Sequence, residues 1–125
     1  MSECPLCVAV HSEVPLKTIP SNGGIVYVIL KTKDMKGHPH RVMVVSDRHG
    51  LYVPESSRAI AALFQFIIEG HQCHDWVILS PTHATVKDHW HRVASDTDPK
   101  GKDSLLIERT DRIEIRFKAA GECSR

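Results

Sequence analysis

Two histidines one residue apart, His89 and His91 in "VKDHWHRVASD", and two cysteines three apart, Cys4 and Cys7 in "CPLC", have types and spacings that could do chemistry. In a strand, residues i and i+2 face the same side, so the two imidazoles are expected to project together. Near pH 7 a neutral imidazole keeps a lone pair. One ring could therefore attack a phosphorus or carbonyl centre while the other donates a hydrogen bond to the developing charge. The same spacing also suits two ligands on one metal ion. C-x-x-C is half of a zinc site or a redox pair. The redox use wants a strand ahead of the motif and a helix opening at it, and Pro5 alone does not supply that. Taken by itself, H-x-H in a chain with nine histidines reads as two solvated side chains, so the surrounding elements have to decide.

Those elements can be read from periodicity. "PSNGG" (20–24) is a turn signal, and the β-branched run "IVYVIL" (25–30) after it reads as a strand. "KTKDMKGHPH" is a polar loop, and "RVMVVS" (41–46) is a second strand that can pair with the first across it. Pro54 suits the first turn of a helix and Gly70 its end. Between them Ile60, Leu63, Phe64, Ile67 and Ile68 form one apolar stripe, which belongs to the core. "DWVILS" (75–80) is a third strand, and "DHWHRVA" from 88 is a fourth that carries the histidine pair. In that strand Trp90 should face the opposite side, packed in the core. "SLLIE" and "RIEIRFK" read as a C-terminal β-hairpin, with Ile113, Ile115 and Phe117 on one face. The order predicts an α+β fold, a mostly antiparallel sheet with one long amphipathic helix.

Bulk properties narrow the functional classes. The 125 residues fit a single domain, 1–125, able to bury a core without staples. A formal net charge of +1 gives no general basic field for coating nucleic acid. The basic loops "KTKDMKGHPHR" and "DPKGKD" could still flank a phosphate site. No stretch approaches a membrane span, and the chain reads as soluble and cytoplasmic. With no secretory signal, Cys4, Cys7, Cys73 and Cys123 do not read as a disulfide framework. No P-loop or dinucleotide glycine fingerprint occurs.

In combination, "CPLC", "GHPHRVMVVSDRHG", an amphipathic helix, "DWVILS" and "VKDHWHRVASD" come in an order that resembles the histidine-triad (HIT) superfamily of nucleotide hydrolases and transferases. Gly37 and His38 resemble its Gly-His, "VMVVSDRH" its strand ending in histidine, and Thr85 and Val86 the residues preceding the triad. "HWHRVASDTD" is similar to the corresponding segment of the aprataxin-like branch, which acts on nucleotides attached to DNA ends. The resemblance covers about residues 4–96 and leaves 97–125 as an extension. The family strand carries three alternating histidines and this one carries two, so two registers are open. In the first, Lys87, His89 and His91 fill the three positions and His89 is the nucleophile; the downstream "RVASDTD" favours this register. In the second, His89, His91 and Val93 fill them and His91 is the nucleophile.

The resemblance implies a HIT-like sheet and attack by a histidine on the α-phosphate of a nucleotide or nucleotide conjugate, a nucleic-acid end included. His89, His91 and Thr85 would be the catalytic residues. His38 and His40 would contact the bound nucleotide, and a homodimer is in keeping with the family. Zinc-containing bacterial members further imply a structural zinc on Cys4, Cys7 and His49. Its fourth ligand depends on register: it is His89 in the second, while in the first another histidine such as His40 or His83 must serve. Two alternatives stand beside this reading. One is a non-catalytic module of the same fold that binds a nucleotide, nucleic acid or protein; the other is a small zinc-binding interaction domain.

Overall fold

The computed structural model describes residues 4–32, 40–70, 75–80, 86–97 and 113–117. Helix α1 (Pro5–Ser12) is followed by β1 (Lys17–Pro20), β2 (Val26–Lys31), β3 (Arg41–Ser46), helix α2 (Ser56–Gly70), β4 (Asp75–Leu79), β5 (His91–Thr97) and β6 (Ile113–Phe117). The strands form one six-stranded sheet in the order β1-β2-β3-β5-β4-β6, every described pair antiparallel. This is an α+β architecture. The chain leaves β3, passes through α2 to β4, and returns as β5 between them, which makes β5 a central strand flanked by β3 and β4.

Both faces of the sheet centre are covered, which explains why β2 and β3 read as continuous apolar runs rather than alternating ones. On one face Tyr27, Ile29, Val42, Val44, Ile78 and Ala94 pack with Ala59, Leu63 and Ile67 of α2. Each such aliphatic side chain contributes about 1.5–3 kcal/mol by burial. On the other face Val28, Leu30, Met43 and Val45 meet Leu6 and Ala9 of α1. The buried row of α2 is Ala59, Leu63 and Ile67, with Ile60, Ala62 and Phe66 packed beside it. The inward line is thus turned slightly from the stripe drawn through Phe64 and Ile68. Trp90 is buried on the α2 side, edge-on to Tyr27 with ring centroids 5.3 Å apart.

Two elements carry no sequence expectation. Pro5 opens α1 at a position where its missing N–H costs nothing, with Cys4 as N-cap. Only two residues of that helix are buried, Leu6 and Ala9, too few for a periodic signal. The short strand β1 lies at the sheet edge and points only Ile19 inward, which suits Pro20, since an edge position does not require its N–H. Of the expected C-terminal hairpin, β6 pairs with β4, and its partner segment 104–108 lies outside the described residues. No helix among the described residues is long and apolar enough to cross a membrane.

The turn at 21–24 is locked onto the start of α2. The Tyr27 hydroxyl donates to the Pro54 carbonyl, and the Asn22 backbone N–H donates to the Glu55 carboxylate at 3.1 Å. That bond, and then the Arg58 guanidinium, hold the Glu55 carboxyl below its ordinary pKa. Glu55 has φ 57, unusual for a residue with a side chain, and these contacts fix it there. Gly23 sits directly against the Pro54 ring, where an added methyl would overlap the side chain. Gly23→Ala is expected to part the turn from α2, at a cost of about 1–3 kcal/mol. Chemical denaturation should read this as a lower midpoint with an unchanged slope; an unchanged midpoint would contradict the packing argument.

Candidate metal centre

Three chain segments meet at the end of the sheet where β3 finishes and β5 begins. Cys4 is the N-cap of α1 and makes no side-chain capping bond, while Cys7 stands one turn on. Positions i and i+3 share a helix face, so both thiols point the same way. The turn 47–50 supplies His49. Gly50 has φ 127, a conformation that favours glycine. It forms a parallel bridge with His89, and its carbonyl accepts the Trp90 N–H at 2.8 Å. β5 therefore begins at His91 rather than at residue 88, and His89 belongs to the bridge that precedes it.

These constraints bring Cys4, Cys7, His49 and His89 together, with all four ligand atoms within 4.8 Å of one another. Cys4 Sγ lies 3.6 Å from His89 Nδ1, and Cys7 Sγ lies 3.4 Å from both His49 Nδ1 and His89 Nδ1. The two imidazoles meet edge to face, centroids 5.4 Å apart. The arrangement is compatible with a single metal ion, and the sulfur and nitrogen donors are those of a borderline-soft cation.

Hydrogen bonding decides which nitrogen each ring presents. His89 Nε2 lies 2.8 Å from the Ser46 carbonyl, which can only accept, so Nε2 carries the proton. In the neutral ring Nδ1 then turns a lone pair to the sulfurs. His89 is 1% exposed and both its nitrogens are engaged. His91 has the opposite tautomer. Its Nδ1 lies 2.9 Å from the His89 carbonyl and must be the donor, which leaves the Nε2 lone pair available in the neutral form. His91 is half-buried, and burial, with smaller contributions from His89 and Arg92, lowers its pKa against the opposing carbonyl bond. Neutral imidazole is accordingly its favoured form near pH 7.

His91 stands opposite Val45, on the α1 side of the sheet and next to the cluster, as the alternation of the strand predicts. Arg92 points the other way and lies over the Trp90 ring, 5.1 Å from its centroid. His40 is not part of this assembly. It precedes β3 at the far end of the strand, where its backbone N–H and carbonyl bond Asp96. Five residues of extended chain separate it from Val45, about 17 Å at the usual rise. The structure thus places His40 apart from His91. Thr85, His38, His83, Cys73 and Cys123 lie outside the described residues. Sequence reasoning did not single out Asp88, whose carboxylate lies 3.4 Å from His49 Nε2; its adjacency to His89 carried no signal before the bridge to Gly50 was known.

Comparison with protein-family models, with curated proteins and with solved structures returns no match in any of the three.

Proposed function

We propose that the chain is a zinc-stabilised hydrolase or transferase that acts at the α-phosphate of a nucleotide derivative through His91. The observation that carries this reading is the division of labour between the two histidines. The His89 ring is committed to the sulfur cluster, whereas His91 keeps an Nε2 lone pair beside it.

Zinc fits the donors. With Zn–S near 2.3 Å and Zn–N near 2.05 Å, a tetrahedral angle puts sulfur and nitrogen about 3.6 Å apart. The separations in the structure are 3.4, 3.4 and 3.6 Å. A closed Cys2His2 set is a structural type of site, and the ion would supply rigidity rather than a reacting group. With His89 as fourth ligand, the second register of the HIT resemblance is the consistent one: His89, His91 and Val93 stand in the three triad positions. The nucleophile is then His91, in place of the His89 favoured by the downstream sequence. His91 Nε2 forms an N–P bond as the P–O bond to the leaving group breaks and the electron pair departs on oxygen. Water then cleaves the N–P bond, which releases the nucleotide and restores the lone pair.

One observation favours a second reading, a non-catalytic nucleotide-binding module. Val93 packs into the α1-side apolar cluster, where the third histidine would stand. Incubation with a dinucleoside polyphosphate, followed by acid-free mass analysis, separates the two. A nucleotidyl adduct on His91 is expected. Nucleotide binding with neither adduct nor turnover would leave the module. Metal analysis of the purified protein should independently give about one zinc per chain, and a value near zero would remove the metal centre.

A further inference from the structure

We infer that Asp88 is the positioning residue of the metal centre, selecting which nitrogen His49 turns to the ion; this rests on the zinc reading above. The two imidazoles of the cluster are held very differently. His89 is fully buried, and its Nε2–H is fixed by the main-chain carbonyl of Ser46. The His49 side chain is 48% exposed and lies in a turn, so packing restrains its ring far less than it restrains His89. A ring that turns over exchanges Nδ1 for Nε2 and displaces the donor atom from the cluster. The Asp88 carboxylate lies 3.4 Å from Nε2, where it favours the tautomer that carries its proton on Nε2 and leaves Nδ1 for the metal.

The backbone aligns this pair. The parallel bridge between Gly50 and His89 puts the residues immediately before them, His49 and Asp88, side by side. Partners behind metal-bound histidines commonly fix the ring's orientation in this way. The two histidines thus reach the same outcome, Nδ1 inward, by different means: a main-chain acceptor for the buried ring and a side-chain acceptor for the exposed one.

Asp88→Ala is expected to weaken Zn2+ binding by about 10–100-fold in competition with a chromogenic chelator. Asp88→Asn, which keeps one acceptor oxygen but no charge, should fall between Asp88→Ala and the native protein, and Asp88→Glu should recover part of the loss. Long-range 15N–1H spectra of the zinc-loaded protein add a signature that a purely structural role would not move. His49 should show a single Nε2–H tautomer in the native protein and a mixture in Asp88→Ala, with His89 unchanged. Native protein that binds zinc, with unaltered affinity and His49 tautomer in Asp88→Ala, would overturn the inference and leave the metal centre standing. Native protein that takes up no zinc would overturn both.

Discussion

Replacing Cys4 and Cys7 together by serine is expected to abolish metal binding and to release α1 from the sheet. The helix has eight residues and buries only Leu6 and Ala9. That burial contributes about 3 kcal/mol, whereas ordering eight backbone residues costs about 8 kcal/mol even at the low end. A helix this short is marginal in isolation, and metal ligation at its first turn would supply what packing does not. The double variant should lose its zinc, lose amide-exchange protection throughout 5–12, and melt about 10 °C or more lower than the native protein. The sheet and α2 have their own core in the Leu63 and Ile67 cluster and should stay folded. Retained zinc, or an α1 that stays protected without it, would show that the cysteines are not what tethers the helix.

The second large effect separates the two histidines. His91→Asn is expected to eliminate the nucleotidyl adduct and reduce turnover by about 10³–10⁶-fold, the scale seen when a covalent nucleophile is removed. It should leave zinc content and melting temperature almost unchanged, since His91 touches the centre only through its bond to a backbone carbonyl. His89→Asn should do the reverse first, with loss of zinc and a lower melting temperature, because it withdraws a buried ligand and leaves the Ser46 carbonyl without its donor. An adduct that survives in His91→Asn would rule out His91 as the nucleophile.

Much of this arrangement is legible in the sequence, and the rest is hidden for identifiable reasons. β2 and β3 declare themselves because β-branched runs between turn residues have few other uses, and Leu63 and Ile67 fall on any helical stripe drawn through 56–70. Cys4 and Cys7 stand out by donor type and spacing, and His49 by its place in the HIT resemblance. The register of His89 and His91 does not, because H-x-H has the same spacing in both alternatives. What distinguishes the two residues is a carbonyl 43 positions away in sequence and two sulfurs more than 80 away. Contacts at such separation leave no local pattern. α1 and β1 are hidden for a related reason: each places only one or two side chains inward, which is too little for a period. His40 enters through the HIT resemblance, and the six residues of β3 place it at the end of the strand opposite the Cys/His cluster.

The cluster also has an order of assembly written into it. Its donors come from residues 4, 7, 49 and 89, and the Cys4–His89 contact spans 85 positions. A chain emerging from the ribosome therefore offers first a pair of thiols, much later a third donor, and the fourth later still. Two thiols alone are an open, exchangeable site, whereas four donors close it. An ion would settle only after β5 has paired with β3 and His89 has bridged Gly50, since those contacts carry His89 to the cysteines. Retained metal would then mark a chain whose central strand has found its place, and the half-site on Cys4 and Cys7 would be shared by every chain that has not.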